Sequence, residues 1–558
     1  MKKRLIIITT IIILIVLLST IFMTKTDTTT IAAKVKSSNN YNTINTATEL
    51  VKDMKIGWNL GNTLDSPDGK NKDIETSYYE TLWENPITTK EMITEVKNAG
   101  FNSIRIPVTW FDHVYIEENG VKSKNIKIDE MNVTEISKIK IEENWMNRVK
   151  EVIDYAIQND MYCILNVHHD VGTGTWPWIF ASSNENNRKK YETVLSMLWT
   201  QIANEFKSYD NRLLFEGFNE IMIEGASSWV GSNSSSVTSE HFNAVNKLNQ
   251  IFVDTVRKSG GNNSNRFLVL NTYGAEALSE ALNNFQLPSD TIENHLIISA
   301  HVYDWGGACQ SGENNTVYKS LQRLKNKADS IGAGAIIGEF GSYINSKGPA
   351  NSALANNYYV KTAKSMGITC FYWDDGMGKN ASMSLLDRNN LEWKYPQILQ
   401  GLIDGSNGKT LEKTIVDPSI EPTKITLNKT NIELDYNSNL REALIATVEP
   451  SNAGKSVDIE WESSDTNIIF VSQTGNIAPK GIPELINIQG PFAGGAEGTA
   501  IVTASIEKED GTVLQASCNV TVKNKLKGKL AETNLSDFNN WRKGFYDWQK
   551  GYYFANGE

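Results

Sequence analysis

Between residues 55 and 373 eight short apolar runs recur, each closing on polar residues and separated from the next by a segment of helical period. They lie at 55–60, 103–108, 162–168, 213–218, 267–271, 296–301, 334–338 and 368–373. Short runs that are apolar almost throughout suit strands buried on both faces, and strands separated by helices pair in parallel. Eight such units in one stretch predict a (β/α)8 TIM barrel of the α/β class.

The intervening segments agree with this reading. Met92, Ile93, Val96 and Ala99 form one apolar stripe, and Met146, Val149, Val152, Ile153, Ala156 and Ile157 form another. Two more run through Val194, Leu195, Leu198, Ile202 and Phe206, then through Val245, Leu248, Ile251, Phe252 and Val256. Stripes of this kind pack helices onto a sheet. Thr88 to Glu91 has the pattern of a capping box that opens the first helix, and Gly100 supplies its stop.

At 558 residues the chain is longer than one hydrophobic core organises, so further domains are expected. The barrel occupies about 41–405, and a polar linker with Pro418 and Pro422 covers 406–423. From 424 to 523 alternating runs such as Ile459-Glu-Trp461 and Ala500-Ile-Val-Thr-Ala504 replace the helical period, predicting a smaller all-β sandwich. Residues 524–558 are rich in aromatics, among them Trp541, Phe545 and Trp548, and read as the opening of a further module. At the other end Met1-Lys-Lys-Arg4 precedes an apolar run to Met23. That is the pattern of an export signal within residues 1–33, with an N-terminal membrane anchor as the alternative. Secretion or attachment at the cell surface follows from either.

Charge and cysteine content narrow the function. A net charge of −11 argues against nucleic-acid binding, which needs concentrated Lys and Arg, whereas 14 tryptophans suit stacking on neutral ligands. Cys163, Cys309, Cys370 and Cys518 are scattered without a CxxC pair, so neither a zinc site nor a disulfide framework is expected.

Barrel active sites assemble at the C-terminal ends of the strands, and polar residues collect there. The first run is followed by Asn62 and Asp65, the second carries Arg105, the third ends in His168-His169-Asp170 and the fourth in Asn219-Glu220. Strand six contributes His301, Tyr303 and Trp305, strand seven Glu339, and strand eight Trp373 with Asp374 and Asp375. Glu220 and Glu339 each close an apolar run, and on strands four and seven they face each other across the mouth. Glycosidic bond cleavage requires such a pair: one acid protonates the leaving oxygen, and the other attacks the anomeric carbon or activates water. Arg105 beneath the attacking carboxylate keeps it ionised.

Other chemistries fit less well. Adjacent His168 and His169 on a strand would point to opposite faces, and no HExxH spacing occurs, so no metal is expected. Gly172-Thr-Gly174 and Gly332-Ala-Gly334 do not open helices as phosphate cradles do, and no GxSxG elbow exists.

The stretches Gly57-Trp-Asn-Leu-Gly-Asn-Thr-Leu-Asp65, Asn102-Ser-Ile-Arg-Ile-Pro-Val-Thr-Trp110, Asn166-Val-His-His-Asp170, Phe218-Asn-Glu220, His301-Val-Tyr303, Gly338-Glu-Phe-Gly341 and Phe371-Tyr-Trp373 resemble glycoside hydrolase family 5, and within it the clostridial-type endo-β-1,4-glucanases. The resemblance implies hydrolysis with retention and without a cofactor. It makes Glu220 the acid/base and Glu339 the nucleophile, with Arg105 and Tyr303 bonded to Glu339 and Asn219 meeting the sugar 2-hydroxyl. His168, His169 and His301 would orient the acids and the sugar, and Trp373 would stack beneath it. Asn62 and Asp65 would bind glucan on the non-reducing side, and Trp305 joins the substrate-binding set. The expected partner is a β-glucan. Xyloglucanase, lichenase or mannanase activity on the same machinery is the alternative, as is a non-catalytic surface carbohydrate-binding protein. Association with the cell wall or membrane through the ends of the chain is expected of a monomer. Thr447-Val-Glu-Pro-Ser-Asn-Ala453 and Glu460-Trp-Glu-Ser-Ser-Asp465 resemble a bacterial immunoglobulin-like group 2 domain, interrupted by an insertion at 479–490.

Overall fold

The computed structural model describes residues 44–68, 75–174, 176–304, 315–343, 349–376, 383–411, 419–435, 442–450, 453, 455, 458–471, 475–479, 497–523, 546–547 and 552–553. The expected export segment, Trp305, Cys309, the centre of the linker and most of the aromatic tail lie outside them.

All eight apolar runs become parallel strands: β1 Gly57–Leu60, β2 Ser103–Ile106, β3 Tyr162–Asn166, β4 Leu213–Glu216, β5 Leu268–Glu276, β6 Leu296–His301, β7 Gly334–Phe340 and β8 Thr369–Asp374. Each pairs with its sequence neighbours, and β1 pairs with both β2 and β8, so the sheet closes into a barrel. The helices that return the chain are α1 Lys90–Asn98, α2 Glu143–Gln158, α3 Glu185–Phe206, α4 Ser239–Lys258, α5 Ser279–Asn284, α6 Thr316–Ile331, α7 Pro349–Ser365 and α8 Pro396–Ser406. Their apolar stripes are buried as the periodicity requires, for example Val149, Val152, Ile153 and Ala156 on α2.

One boundary moves. The N-cap of α1 is Thr89, whose hydroxyl accepts the Met92 N–H at 3.2 Å, in place of Thr88. Thr88 is taken up elsewhere: its N–H donates to Glu80 Oε1 at 2.6 Å and its carbonyl accepts from Arg148 at 2.7 Å. A buried ion pair between Arg148 and Glu80 claims this residue and passes the capping role to the next threonine. The helix does stop at Gly100, whose φ of +110° is costly for any residue with a side chain.

A short helix, Ala47–Asp53, closes the N-terminal end of the barrel. Its capping box at Thr46 and Glu49 is complete, and Leu50 and Val51 are buried. The Thr369 hydroxyl at the base of β8 bonds the Val51 carbonyl at 2.6 Å.

Beyond the barrel the strands form mixed sheets. Asn431–Asp435 pairs in parallel with Val513–Lys523, which continues antiparallel through Gly498–Glu507 to Glu460–Ser463. Ile425, Trp461, Ile469, Val502, Ile506, Val520 and Val522 bury a separate apolar core. Cys163 and Cys370 are free and buried in the barrel, and Cys518 is free and buried in this second core.

Candidate active site

The strand order carries the sequence-predicted residues to one end of the barrel. Arg105 points inward from β2 with no exposed surface, and its guanidinium binds four side chains at once. Nε donates to Glu216 Oε2 at 2.6 Å, Nη1 to Glu339 Oε1 at 2.7 Å and to Asn59 Oδ1 at 3.0 Å, and Nη2 to Asn219 Oδ1 at 2.8 Å. A planar fork of donors suits this arrangement where a lysine would not. The second oxygen of Glu339 accepts the Tyr303 hydroxyl at 2.7 Å. His301 Nδ1 lies 2.7 Å from Glu220 Oε1 and 3.5 Å from Glu339 Oε2, so it bridges the two acids. An oxygen of Glu220 and one of Glu339 come within 4.8 Å of each other.

The two carboxyls are held in different states. Burial raises Glu220 above the usual carboxylate range, against the pull of His301. Burial acts the same way on Glu339, but the charges of His301 and Arg105 and the Tyr303 hydroxyl outweigh it, leaving that carboxylate below the usual range. Burial lowers His301, and the negative charges of Glu339 and Glu220 more than restore it. The two acids are pushed apart, Glu220 toward holding its proton and Glu339 toward ionisation, the direction that general acid catalysis beside a nucleophile requires.

The β1 and β3 ends form the adjoining wall. Asn62 takes a left-handed turn with φ of 58°, and Asp65 is fully buried, accepting the N–H groups of Asn62 and Thr63. Burial pushes the Asp65 carboxyl up to about 7. Asp65 therefore shapes the turn that presents Asn62 and meets no solvent itself. Trp373 lies parallel to the His168 ring, centroids 5.7 Å apart, in space left by Gly61, where a Cβ would sit 2.8 Å from the indole.

The adjacent histidines do not diverge as a strand would make them. β3 ends at Asn166, after which His168 N–H bonds the Val108 carbonyl at 2.8 Å and His169 N–H bonds the Thr109 hydroxyl at 3.2 Å. The two-residue alternation has ended, and both rings turn toward Asp65 with Nε2 atoms at 3.9 and 3.7 Å from its Oδ2. This resembles a three-ligand metal set. Asn166 argues against it. Its Oδ1 accepts the Val108 N–H at 3.1 Å, so its Nδ2 is the atom 3.0 Å from His168 Nδ1, which must then accept. The His168 proton sits on Nε2, where a metal would need a lone pair. Burial keeps both rings neutral, His169 down to about 4.

Two strand-end acids serve the scaffold. Asp374 accepts the Trp58 indole N–H and the Leu385 and Leu386 N–H groups, and pairs with Arg388 at 3.2 Å. Asp170 accepts from Trp110 and Phe111 N–H and from the Trp178 indole.

Sequence reading missed Glu216, Asn59 and Asn271. Glu216 is wholly buried between Arg105 and the Asn271 amide, which donates to it at 2.8 Å. The signal was present: a glutamate within an apolar strand needs a buried cation. Glu216→Ala leaves Arg105 partly unpaired and should cost about 3–5 kcal/mol of unfolding free energy in urea titrations.

A closed eight-stranded barrel whose mouth brings together two carboxyls shifted in opposite directions has the arrangement of a glycoside hydrolase. The family model for cellulases, glycosyl hydrolase family 5, matches residues 67–378. The chain belongs to that family, as a hydrolytic endoglucanase. It is 36% identical over 403 residues to Endoglucanase A of Clostridium longisporum, covering 68% of this chain and 69% of that one. The structure of a GH5-4 broad specificity endoglucanase from Ruminococcus champanellensis with bound cellotriose superposes with a TM-score of 0.55 at 35% identity, over 64% of this chain and 98% of that one. A family 5 enzyme from Prevotella bryantii in complex with a xyloglucan tetradecasaccharide gives 0.54 at 33% identity, over 65% of this chain and 99% of that one.

Proposed function

We propose that the chain is an exported endo-β-1,4-glucanase that cleaves cellulose-type polysaccharides with retention through a glycosyl-enzyme intermediate. The observation that supports this is that an oxygen of Glu220 and one of Glu339 come within 4.8 Å of each other, nearer the spacing of retaining acid pairs than the wider gap that seats a water. Glu339, ionised and held by Arg105 and Tyr303, attacks the anomeric carbon. Glu220 gives its proton to the leaving oxygen and later takes one from water, with His301 holding it in place. Asn219, fixed by Arg105, offers its amide N–H groups to the sugar 2-hydroxyl. Neutral His169, Asn62 and the floor of Trp373 hold the glycone. Proton NMR of cellotetraose hydrolysis checks the stereochemistry: the β-anomer should appear first, and initial α-anomer would refute retention. Reducing-end assays on carboxymethylcellulose, xyloglucan, lichenan and mannan rank the polysaccharides. Xyloglucan is the second reading, favoured by the Prevotella relative and its bound ligand.

The pH dependence follows from the two carboxyls. Activity needs Glu339 ionised, so it rises with pH through a value below the usual carboxylate range, and it needs Glu220 protonated, so it falls through a value above that range. Tyr303→Phe removes a hydrogen bond to the Glu339 carboxylate and should shift the acid limb of kcat/KM to higher pH.

The basic and apolar N-terminus supports export, tested by finding the chain in culture medium, and its recovery in membranes alone would favour the anchor. The separate core around Trp461 supports an immunoglobulin-like module at 424–523 joined to the barrel domain by the 406–423 linker.

A further inference from the structure

Three polar atoms inside the barrel, next to the acid pair, are buried and meet no hydrogen-bond partner among the described residues: His301 Nε2, Ser299 Oγ and Asn271 Oδ1. Ser299 and Asn271 have no exposed surface, and the His301 side chain is 3% exposed. Leaving such groups unmatched is costly, and buried groups of this kind are ordinarily joined through ordered water.

The strands bring the three together. Ser299 and His301 lie two residues apart on β6, so their side chains share a face, and Asn271 of β5 pairs opposite Ser299. On the other side of β6, the pairing with β7 jumps from Ile337 opposite Ala300 to Glu339 opposite His301, which leaves Gly338 as the additional residue. Ser299 Oγ and His301 Nε2 converge on it: a Cβ at Gly338 would stand 2.8 Å from the first and 3.0 Å from the second. Both therefore lie within reach of one bridging water.

Their polarity matches as well. Asn271 Nδ2 donates to Glu216 Oε1 at 2.8 Å and to the Phe218 carbonyl, so the amide is fixed with Oδ1 left to accept. A serine hydroxyl both donates and accepts. His301 Nδ1 lies 2.7 Å from Glu220 Oε1, and when Glu220 donates its proton there the ring carries its own hydrogen on Nε2. Donor, relay and acceptor stand in that order.

We infer that Ser299 is a positioning residue for the acid: through buried water it takes the Nε2–H of His301 and gives its own hydrogen to Asn271 Oδ1, fixing the tautomer in which Nδ1 receives the Glu220 proton. The line continues from Asn271 through Glu216 and Arg105 to Glu339, so acid and nucleophile are joined beneath the substrate. This rests on the reading of Glu220 as the acid and adds what holds its histidine.

The line has a preferred direction. Once Glu220 and His301 have lost their shared proton, the neutral ring turns an Nδ1–H to the Glu220 carboxylate and Nε2 becomes an acceptor. Ser299 must then point its hydrogen at Nε2, and Asn271 Oδ1 goes unmatched. The line therefore favours the protonated pair. The other charged or titratable groups around His301 are Glu339 on β7, Arg105 on β2, His168 after β3, Glu276 opposite it on β5 and Tyr303 just beyond it. A substitution at Ser299 leaves every one of them in the chain.

The test is the pH profile of kcat/KM on a soluble β-glucan in the full chain. Ser299→Ala should move the alkaline limb to lower pH by about 0.5–1 unit, the equivalent of one buried hydrogen bond, and leave the acid limb in place. Ser299→Thr, which keeps a hydroxyl, should return the limb toward its wild-type position. In the wild-type chain, nitrogen NMR of labelled histidine, with His301 assigned by its loss in His301→Gln, should show a proton on Nε2 at a pH below the limb. An alkaline limb that stays or rises in a folded Ser299→Ala variant overturns the inference, as does a uniform loss of rate with both limbs unmoved, which would mark a structural role. So does a His301 whose only proton sits on Nδ1. An alkaline limb that persists in Glu220→Ala would overturn the acid assignment and the inference together, and so is told apart from failure at Ser299 alone.

Discussion

Glu339→Gly is expected to lower turnover of β-glucans by roughly 10⁴-fold or more, the scale on which a covalent nucleophile is lost. Glu339 ends in a cage of Arg105 Nη1 at 2.7 Å and the Tyr303 hydroxyl at 2.7 Å, which favour its charged form. No other described carboxylate could replace it, because Glu216 is tied to Arg105 and Asn271 with no exposed surface. The vacant space gives a sharper test than loss of rate. Azide entering where the carboxylate stood attacks from the nucleophile's side, and with an aryl β-cellobioside it should yield the α-glycosyl azide. Recovery of the β-azide from this variant would reverse the roles of the two glutamates.

Glu220→Ala should fall by about 10²–10⁴ on polysaccharide, where the departing alcohol must be protonated. The loss should shrink when the leaving group is a phenol acidic enough to depart as its anion, because the first step then needs no acid. The second step still lacks a base, so the glycosyl-enzyme should accumulate and show as a burst of phenol. Azide needs no base, attacks the intermediate from the water side and should give the β-glycosyl azide. The alkaline limb of the pH profile, set by the raised Glu220 carboxyl, should vanish with the side chain. Persistence of that limb would assign it to another group, His301 first. Glu220→Ala should retain the fold, since its side chain is 23% exposed, whereas Glu339→Gly leaves Arg105 partly unpaired as Glu216→Ala does, so its folding is checked by urea titration beside the rate.

Much of this was legible because the relevant signals are local. Strand burial shows in residue order, so all eight barrel strands emerge from runs of apolar residues, and a polar residue after such a run marks the mouth. Locality also sets the limit. Thr88 and Thr89 are equivalent as caps until the Arg148–Glu80 pair, distant in sequence, claims the first of them. His168 and His169 alternate only if the strand persists, and the hydrogen bonds to Val108 and Thr109 end it. Asp170 and Asp374 look like catalytic strand ends in sequence, and only their backbone and indole donors show that they hold loops.

The sequence by itself determined the barrel, the pair of opposed acids, and Arg105, Asn219, His301 and Tyr303 beside them, since periodicity and motif order need no third dimension. The tertiary structure alone decided how one buried guanidinium is divided among Glu216, Glu339, Asn59 and Asn219, and which acid is pushed toward holding its proton. Those outcomes depend on charges and donors brought to about 3 Å from strands as far as 234 residues apart, and electrostatic energy at that range follows distance and burial, which residue order does not record.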